Sequence, residues 1–362
     1  MAGEFNRVDI TCEGGEELSL VMKSVSKEKL STSIQLGLPR EATFYNELAP
    51  RLGKVVPRAW YAHGDLLTGE KVILMENIAS MVPAGVFFGP GNPNNWGLDL
   101  PQLSSEAGSP PAEQVAKQAF LCYAQLHAEF WQSEQLLQLS WLRGADWYQG
   151  RGQDSWQAAQ QMAADSWSEI RAENSKAPAD QAPEALQWDP HLVACLEVSF
   201  GKVSWQQFQS DIRAIHWTLV QGDCHPGNAL WPGQESSSGE EMKLIDFEMV
   251  GIGSGAQELG QFLISHMTPA LRRSCERSLV ASYHQELTSR LRARGLEAEA
   301  SAYSLEMCWS DYVAGGAGRW LWFVPYLAKV CPAKVAQYFN DQTAAFLTDH
   351  FPNPAQVGQP RV

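Results

Sequence analysis

The residues best suited to chemistry lie in two short runs, Val220-Gln221-Gly222-Asp223-Cys224-His225-Pro226-Gly227-Asn228 and Leu244-Ile245-Asp246-Phe247-Glu248. Asp223, Asn228 and an Asp246 that follows an apolar strand are the groups phosphoryl transfer requires. One carboxylate orients and deprotonates a hydroxyl, while an amide oxygen and a second carboxylate hold Mg2+ on nucleotide phosphates. Mg2+ prefers oxygen ligands, and these are oxygen ligands. His225 has no second soft ligand beside it and reads as a hydrogen-bond partner that shapes the loop. Cys224 reads as a small filler of that loop.

Such groups must be held by regular elements. Thr218-Leu219-Val220, Ala229-Leu230-Trp231 and Lys243-Leu244-Ile245 are short apolar strands, the last two separated by a polar turn from Gly233 to Glu241. Upstream, Arg7 to Ile10 and Leu18 to Val25 are β-rich and joined by the turn residues Glu13-Gly14-Gly15-Glu16. Pro39-Arg40-Glu41 opens a helix with Phe44, Leu48 and Leu52 at helical spacing, and Pro57 ends it. Ala59 to Ala62 and Val72 to Met75 read as two further strands. The Gly-, Pro-, Asn- and Ser-rich stretch from Phe87 to Pro111 reads as a loop. From Ala112 the chain turns helical, with Val115, Ala119, Cys122, Leu126 and Phe130 as an apolar stripe. Further helices are expected over Ser155 to Glu173, over Ser204 to Ile215 and through most of Gln257 to Phe351. Ser175 to Pro190 reads as a surface loop.

The whole chain has 362 residues, 44% of them hydrophobic and 19% charged, which suits a folded chain of two lobes. Its net charge of -14 argues against general affinity for nucleic acid or anionic membranes. No apolar run approaches the roughly 20 residues of a membrane span, and no secretory signal is visible at Met1 to Arg7. Cys12, Cys122, Cys195, Cys224, Cys275, Cys308 and Cys331 are dispersed without a close pair, as expected of reduced thiols in a cytoplasmic protein. Fourteen Trp are many for this length and are expected chiefly in the core.

Gly222-Asp223 with Asn228, followed by Ile245-Asp246-Phe247, resembles the signature of the aminoglycoside phosphotransferase and choline kinase superfamily. Leu126-His127-Ala128-Glu129-Phe130-Trp131 and Pro39-Arg40-Glu41-Ala42 with Phe44-Tyr45 are similar to its eukaryotic ecdysteroid-kinase-like branch. The resemblance spans about Arg7 to Met267. It implies an α+β, bilobal, protein-kinase-like fold: a small β-rich N-terminal lobe (1–78), a larger mostly helical lobe (79–351) and a loose tail (352–362). It further implies ATP and Mg2+ as cofactors, Asp223 as catalytic base, and Asn228 and Asp246 as metal ligands. Lys23 stands where the family's strand lysine contacts the α and β phosphates, and Glu41 where a helix glutamate pairs with it. Backbone groups of Glu76 and Ile78 stand where the hinge meets adenine.

Three departures from the family pattern stand out. Gln221 replaces the usual histidine before Gly-Asp, and Glu258-Leu259-Gly260 replaces Asp-Leu-Ala. The phosphate-covering Gly-rich hairpin should precede the strand at Arg7, yet only six residues do so, and Gly14-Gly15 fall between the next two strands. The hairpin is therefore expected to be absent or abbreviated, or the sequence to be shortened. The expected reaction is O-phosphorylation of a small-molecule hydroxyl, on an amino alcohol, aminoglycoside-like or sterol-like acceptor. The alternative is a pseudokinase or binding protein without turnover. A protein kinase fits less well, since Asp246-Phe247-Glu248 replaces Asp-Phe-Gly and no Ala-Pro-Glu follows. Trp309, Tyr312, Trp320, Trp322 and Tyr326, with Glu306 and Asp311, are candidates for the acceptor pocket and suit a cation or an apolar alcohol.

Overall fold

A computed structural model describes every residue except 1, 2, 12, 16, 175–185 and 234–240. The sequence-based expectations for Cys12, Glu16, most of the Ser175 loop and most of the Gly233 turn lie outside the described residues.

Strands β1 (Gly3–Thr11) and β2 (Glu17–Val25) pair antiparallel from Gly3↔Val25 to Thr11↔Glu17. After helices α1 (Leu30–Leu36) and α2 (Arg40–Glu47) come β3 (Ala59–Gly64) and β4 (Lys71–Glu76). The sheet order is β1-β2-β4-β3. Among the described residues no strand lies beyond β1. In β4 burial alternates, so Lys71, Ile73 and Met75 share the inner face. Lys23 sits directly opposite Ile73, which puts Lys23 and Lys71 on that same face of neighbouring strands. Helix α2 presents Glu41, Phe44 and Tyr45, one side of a helix at spacings of three and four, as buried residues.

The second lobe contains β5 (Val82–Pro83), α3 (Leu100–Glu106), α4 (Ala112–Glu129), α5 (Glu134–Leu137), α6 (Ala145–Tyr148), α7 (Gln153–Asn174), α8 (Pro190–Gly201) and α9 (Trp205–Ala214). It continues with β6 (Trp217–Val220), β7 (Ala229–Trp231), β8 (Lys243–Leu244), β9 (Gly251–Ser254), α10 (Gly255–His266), α11 (Pro269–Ala293), α12 (Glu297–Ala302), α13 (Leu305–Val330) and α14 (Ala333–His350). The expected stripe on α4 is buried at Val115, Ala119, Cys122 and Leu126. Helix starts follow local chemistry. Asp189 accepts from the backbone N–H of His191 and Leu192 ahead of Pro190, and Ser204 and Ser304 cap α9 and α13 in the same way. Helices α10 and α13 touch backbone to backbone: a Cβ on Gly260 would lie 2.5 Å from Gly316 Cα. No described helix is long and apolar enough to cross a membrane.

Two small sheets position the candidate loops. Pairing of β7 with β8 (Ala229↔Leu244) continues into a bond from Ile245 N–H to the Asn228 carbonyl at 2.9 Å. That bond sets Asn228 beside the run that carries Asp246. Strand β6 pairs with β9 on the other side of the Asp223 loop.

Several expectations need correction. The stretch from Phe87 to Pro111 is not loop throughout, because Asp99 caps the short helix α3 through the N–H of Gln102. Helices α1 and α8 and strand β9 were not legible in the sequence. The tail 352–362 is not loose. Val357 is fully buried, the carbonyls of Gly358 and Pro360 accept from Ser199 and Gln160 at 2.8 Å, and Arg361 N–H donates to Gly318 at 2.9 Å. A Pro-, Gly- and Gln-rich composition hid a segment held by its backbone groups.

Candidate active site

Lys23 and Asp246 are separated by 223 residues, yet Lys23 Nζ lies 3.0 Å from Asp246 Oδ1. Lys23 also contacts Glu41 at 2.7 Å and Glu248 Oε1 at 3.2 Å. Lys71, which sequence reasoning missed, completes the network: its Nζ is 2.7 Å from Glu41 Oε2 and 2.5 Å from Glu248 Oε1. Lys71 and Glu41 are essentially inaccessible to solvent, and Lys23 nearly so. Burial opposes charge on Lys23, but Glu41, Asp246 and Glu248 outweigh it and hold the ammonium well above its ordinary range. Burial likewise opposes charge on Glu41, and the two lysines overcome it, so that its carboxyl sits low.

The Asp246 carboxyl is pushed up to about 6, chiefly by burial and against the pull of Lys23, with Glu41, Glu248 and Asp223 adding negative potential. Its backbone is left-handed at φ +62°, a conformation Asp tolerates better than most residues. Next to it, Phe247 stacks on Phe44 of α2 at 3.9 Å. The helix that carries Glu41 is thereby locked to the loop that carries Asp246.

Asn228 donates through Nδ2 to the Asp223 carbonyl at 2.9 Å and approaches its carboxylate at 3.5 Å. The Asp223 side chain is partly exposed, with 41% of it accessible, as a group that must meet an acceptor would be. His225 Nδ1 accepts from Gly227 N–H at 3.1 Å and so shapes the loop. Cys224 is buried. Gly222 turns the chain at φ +84°, where a Cβ would meet the Met249 carbonyl at 2.0 Å. Glu258 of α10 accepts from the N–H of Gln221 at 3.0 Å and of Gly222 at 2.7 Å. His127 steadies Glu258 at 3.1 Å and contacts the Tyr283 hydroxyl at 2.8 Å. Gln221 accepts from Tyr123 at 2.6 Å and donates to the Ile245 carbonyl, tying the two runs together.

Of the hinge residues, Glu76 gives its N–H to Arg58, and its side chain pairs with Lys243 at 3.1 Å; the Ile78 carbonyl accepts from Met81. Any contact from Glu76 to adenine would therefore use its carbonyl. The aromatic cluster proposed for the acceptor divides. Trp322 and Tyr326 line a cavity that also contains Asp223, with a volume of about 540 Å³. Trp309 lies under Arg277 at 3.8 Å, Tyr312 is buried against Glu276, and Trp320 stacks on Phe339. Glu306 pairs with Arg277 and Asp311 accepts from Tyr303, and neither lines that cavity.

Signals for the missed residues were faint. Lys71 is in phase with Ile73 and Met75 and could have been read as an inward lysine. Glu248 stood inside a motif already singled out. Glu258 stood inside a departure already noted, though nothing local marked it as a brace for the Asp223 loop, and nothing local marked Arg319.

Fold and site together define a bilobal protein of protein-kinase-like architecture. The sequence profile of the ecdysteroid kinase-like family matches residues 132–296, which include Asp223, Asn228 and Asp246 but not Lys23 or Glu41. The resemblance to that branch of the aminoglycoside phosphotransferase and choline kinase superfamily is thereby borne out. No curated protein matches the chain. Solved structures with loose likeness include a choline/ethanolamine kinase family protein from Mesorhizobium loti (15% identity, 98% of this chain and 91% of that one, TM-score 0.40). An ethanolamine kinase from Plasmodium vivax (9%, 96% and 82%, 0.43) and a choline kinase from Streptococcus pneumoniae (13%, 94% and 93%, 0.43) are similar to the same degree. At these scores they carry no argument about chemistry.

Proposed function

We propose that this chain transfers the γ-phosphoryl group of ATP to a hydroxyl of a small molecule. The observation that carries the reading is the contact of Lys23 with Glu41 and, across the lobes, with Asp246, whose run is bonded through Ile245 to Asn228 in the loop of Asp223. Asp223 takes the acceptor proton as the hydroxyl oxygen bonds to the γ-phosphorus, the bond to the β-phosphate oxygen breaks, and ADP leaves. Lys23, held by Glu41, stands ready for the α and β phosphates.

The donor set fits Mg2+. Asn228 commits its amide nitrogen to the Asp223 carbonyl, so its oxygen is the atom left to offer. The two lysines and three carboxylates of the network leave an excess of one negative charge. Asn228 and Asp246 would hold the ion. When bound, Mg2+ would neutralise charge on the phosphates.

A thermal-shift titration with ATP, with and without Mg2+, tests this reading. A Mg2+-dependent rise in melting temperature, lost in Asp246→Ala, is expected. Asp223→Asn should retain that rise while turnover falls by about 10²- to 10⁴-fold. No shift at millimolar nucleotide would favour the reading of a binding protein without turnover.

A further inference from the structure

The cavity beside Asp223 is lined by neither Lys23, Asp246 nor Glu76, so it is separate from the lysine–carboxylate network. Its charged lining is mainly arginine: Arg40 from α2, Arg143 from the segment before α6, and Arg319 from α13. Arg319 is nearly fully buried. It donates through Nη2 to the Gly222 carbonyl at 2.9 Å, directly before Asp223, and through Nε to Gln261 at 3.4 Å. Its remaining amino group, Nη1, is buried with no hydrogen-bond partner. Among the described residues no carboxylate pairs with Arg319, Arg143 or Arg40. Arg40 spends Nε and Nη1 on the carbonyls of Trp141, Leu36 and Gly37, which leaves its charge uncompensated.

The acidic side chains of the cavity are Asp223 and Asp146, the latter exposed and paired with Arg151 at 3.1 Å, and the last residue, Val362, lines the cavity as well. The cavity behind shares Arg143 and Arg319 and adds Arg361, whose Nη1 is also buried without a partner. Burial and the neighbouring charges of Arg319 and Arg40 all push the Arg143 guanidinium down; burial also lowers Arg319, against the pull of Asp223 and Glu258, neither of which is in ion-pair contact with it. A buried, unpaired guanidinium donor is costly to keep. Guanidinium forks match carboxylate and phosphate oxygens in geometry and charge. Trp322, Phe323 and Tyr326 supply an apolar wall.

We infer that the acceptor is an anionic alcohol, a hydroxyl compound bearing a carboxylate or phosphate group, whose negative end is held by Arg319 and Arg143 while its hydroxyl faces Asp223. This rests on the kinase reading for the role of Asp223, but the anion subsite stands on the arginines alone. It replaces the expectation of a cationic amine, which three arginines would repel.

The test uses three probes that share a phenyl ring and a hydroxyl and differ in charge: mandelate, phenylethanediol and phenylethanolamine. Binding to the full chain is measured by calorimetry at low and high salt, first without and then with Mg2+ and ADP, and ADP release from ATP is measured in parallel. Mandelate is expected to bind at least tenfold more tightly than the other two, with the advantage reduced by salt. Arg319→Met and Arg143→Met should each weaken mandelate by about ten- to hundredfold while leaving phenylethanediol unchanged. The Arg143 variant serves if Arg319→Met fails to fold.

Equal binding of the three probes, no binding, or preference for the amine overturns the inference. Mandelate binding that disappears when Mg2+ and ADP are added also overturns it, by giving the cavity to the nucleotide. Mandelate binding without ADP release from any alcohol supports the anion subsite and counts against the kinase reading. ADP release driven by the amine does the reverse.

Discussion

Phe44 lies flat on Phe247, ring centroids 3.9 Å apart and planes within 10°. One ring belongs to the helix that carries Glu41, and the other follows Asp246. Both are completely buried, so this stack couples the N-terminal lobe to the loop proposed to hold metal. Phe44→Ala should cost about 3–5 kcal/mol of stability. It should also weaken Mg2+-dependent nucleotide binding, because Glu41 and Asp246 lose their common brace. Chemical denaturation and calorimetry at equal folded fraction separate the two effects; unchanged nucleotide affinity would assign the stack to stability alone.

Lys71 serves the network rather than the nucleotide. Lys71→Met leaves Glu41 and Glu248 sharing only Lys23, and removing one partner of a buried ion cluster costs about 3–5 kcal/mol. Adding Glu248→Gln removes one of the two negative charges then in excess, so the double variant should recover part of the loss. A double-mutant cycle on urea unfolding measures the coupling. Additive losses would show that Lys71 and Glu248 do not act together.

Gly222 carries the turn into Asp223. An alanine there combines a left-handed backbone with a Cβ only 2.0 Å from the Met249 carbonyl. Strain of about 1–3 kcal/mol is the minimum, and relief of the clash must displace Asp223 or the Met249 segment. Gly222→Ala should lower the melting temperature and depress kcat more than nucleotide affinity. A variant with wild-type kcat would show that Asp223 is held by other contacts.

Acid should weaken the C-terminal helices. Burial alone would raise the Glu276 carboxyl, but His350, Arg272 and Tyr312 outweigh it and hold it low. Asp349 is held low in the same way by Arg273 and Arg272. Folded-state values below the unfolded ones mean stability that is fully present above about pH 4.3 and is lost as the pH falls through the folded values. Arg272→Met should cost about 3–5 kcal/mol near neutral pH and flatten the acid limb of stability. Melting temperature against pH for both proteins checks the sign; an unchanged acid limb would place the acid-sensitive groups elsewhere.

Much of this was written in local sequence. Strand and helix periods showed the β-rich beginning and the helical remainder, because burial on one face of an element repeats every two or about 3.6 residues. Asp223, Asn228 and Asp246 were legible because their spacing along two strands and a tight loop already limits their separation. Lys23 and Glu41 could be paired only through the family resemblance, since their contact depends on how α2 lies against the sheet.

Tertiary structure alone decided which charges answer which. Lys71 became a partner of Glu41 and Glu248 because β4 lies beside β2. Glu258 became the brace of the Asp223 loop because α10 packs beside β6, the strand that leads into that loop. Arg40, Arg143 and Arg319 come from three distant elements, and only packing brings them to one cavity. The tail looked free and is anchored through backbone groups that side-chain composition does not reveal. Local sequence sets the period of burial and the reach of a loop, whereas the partner of a buried charge is chosen by the element that packs against it.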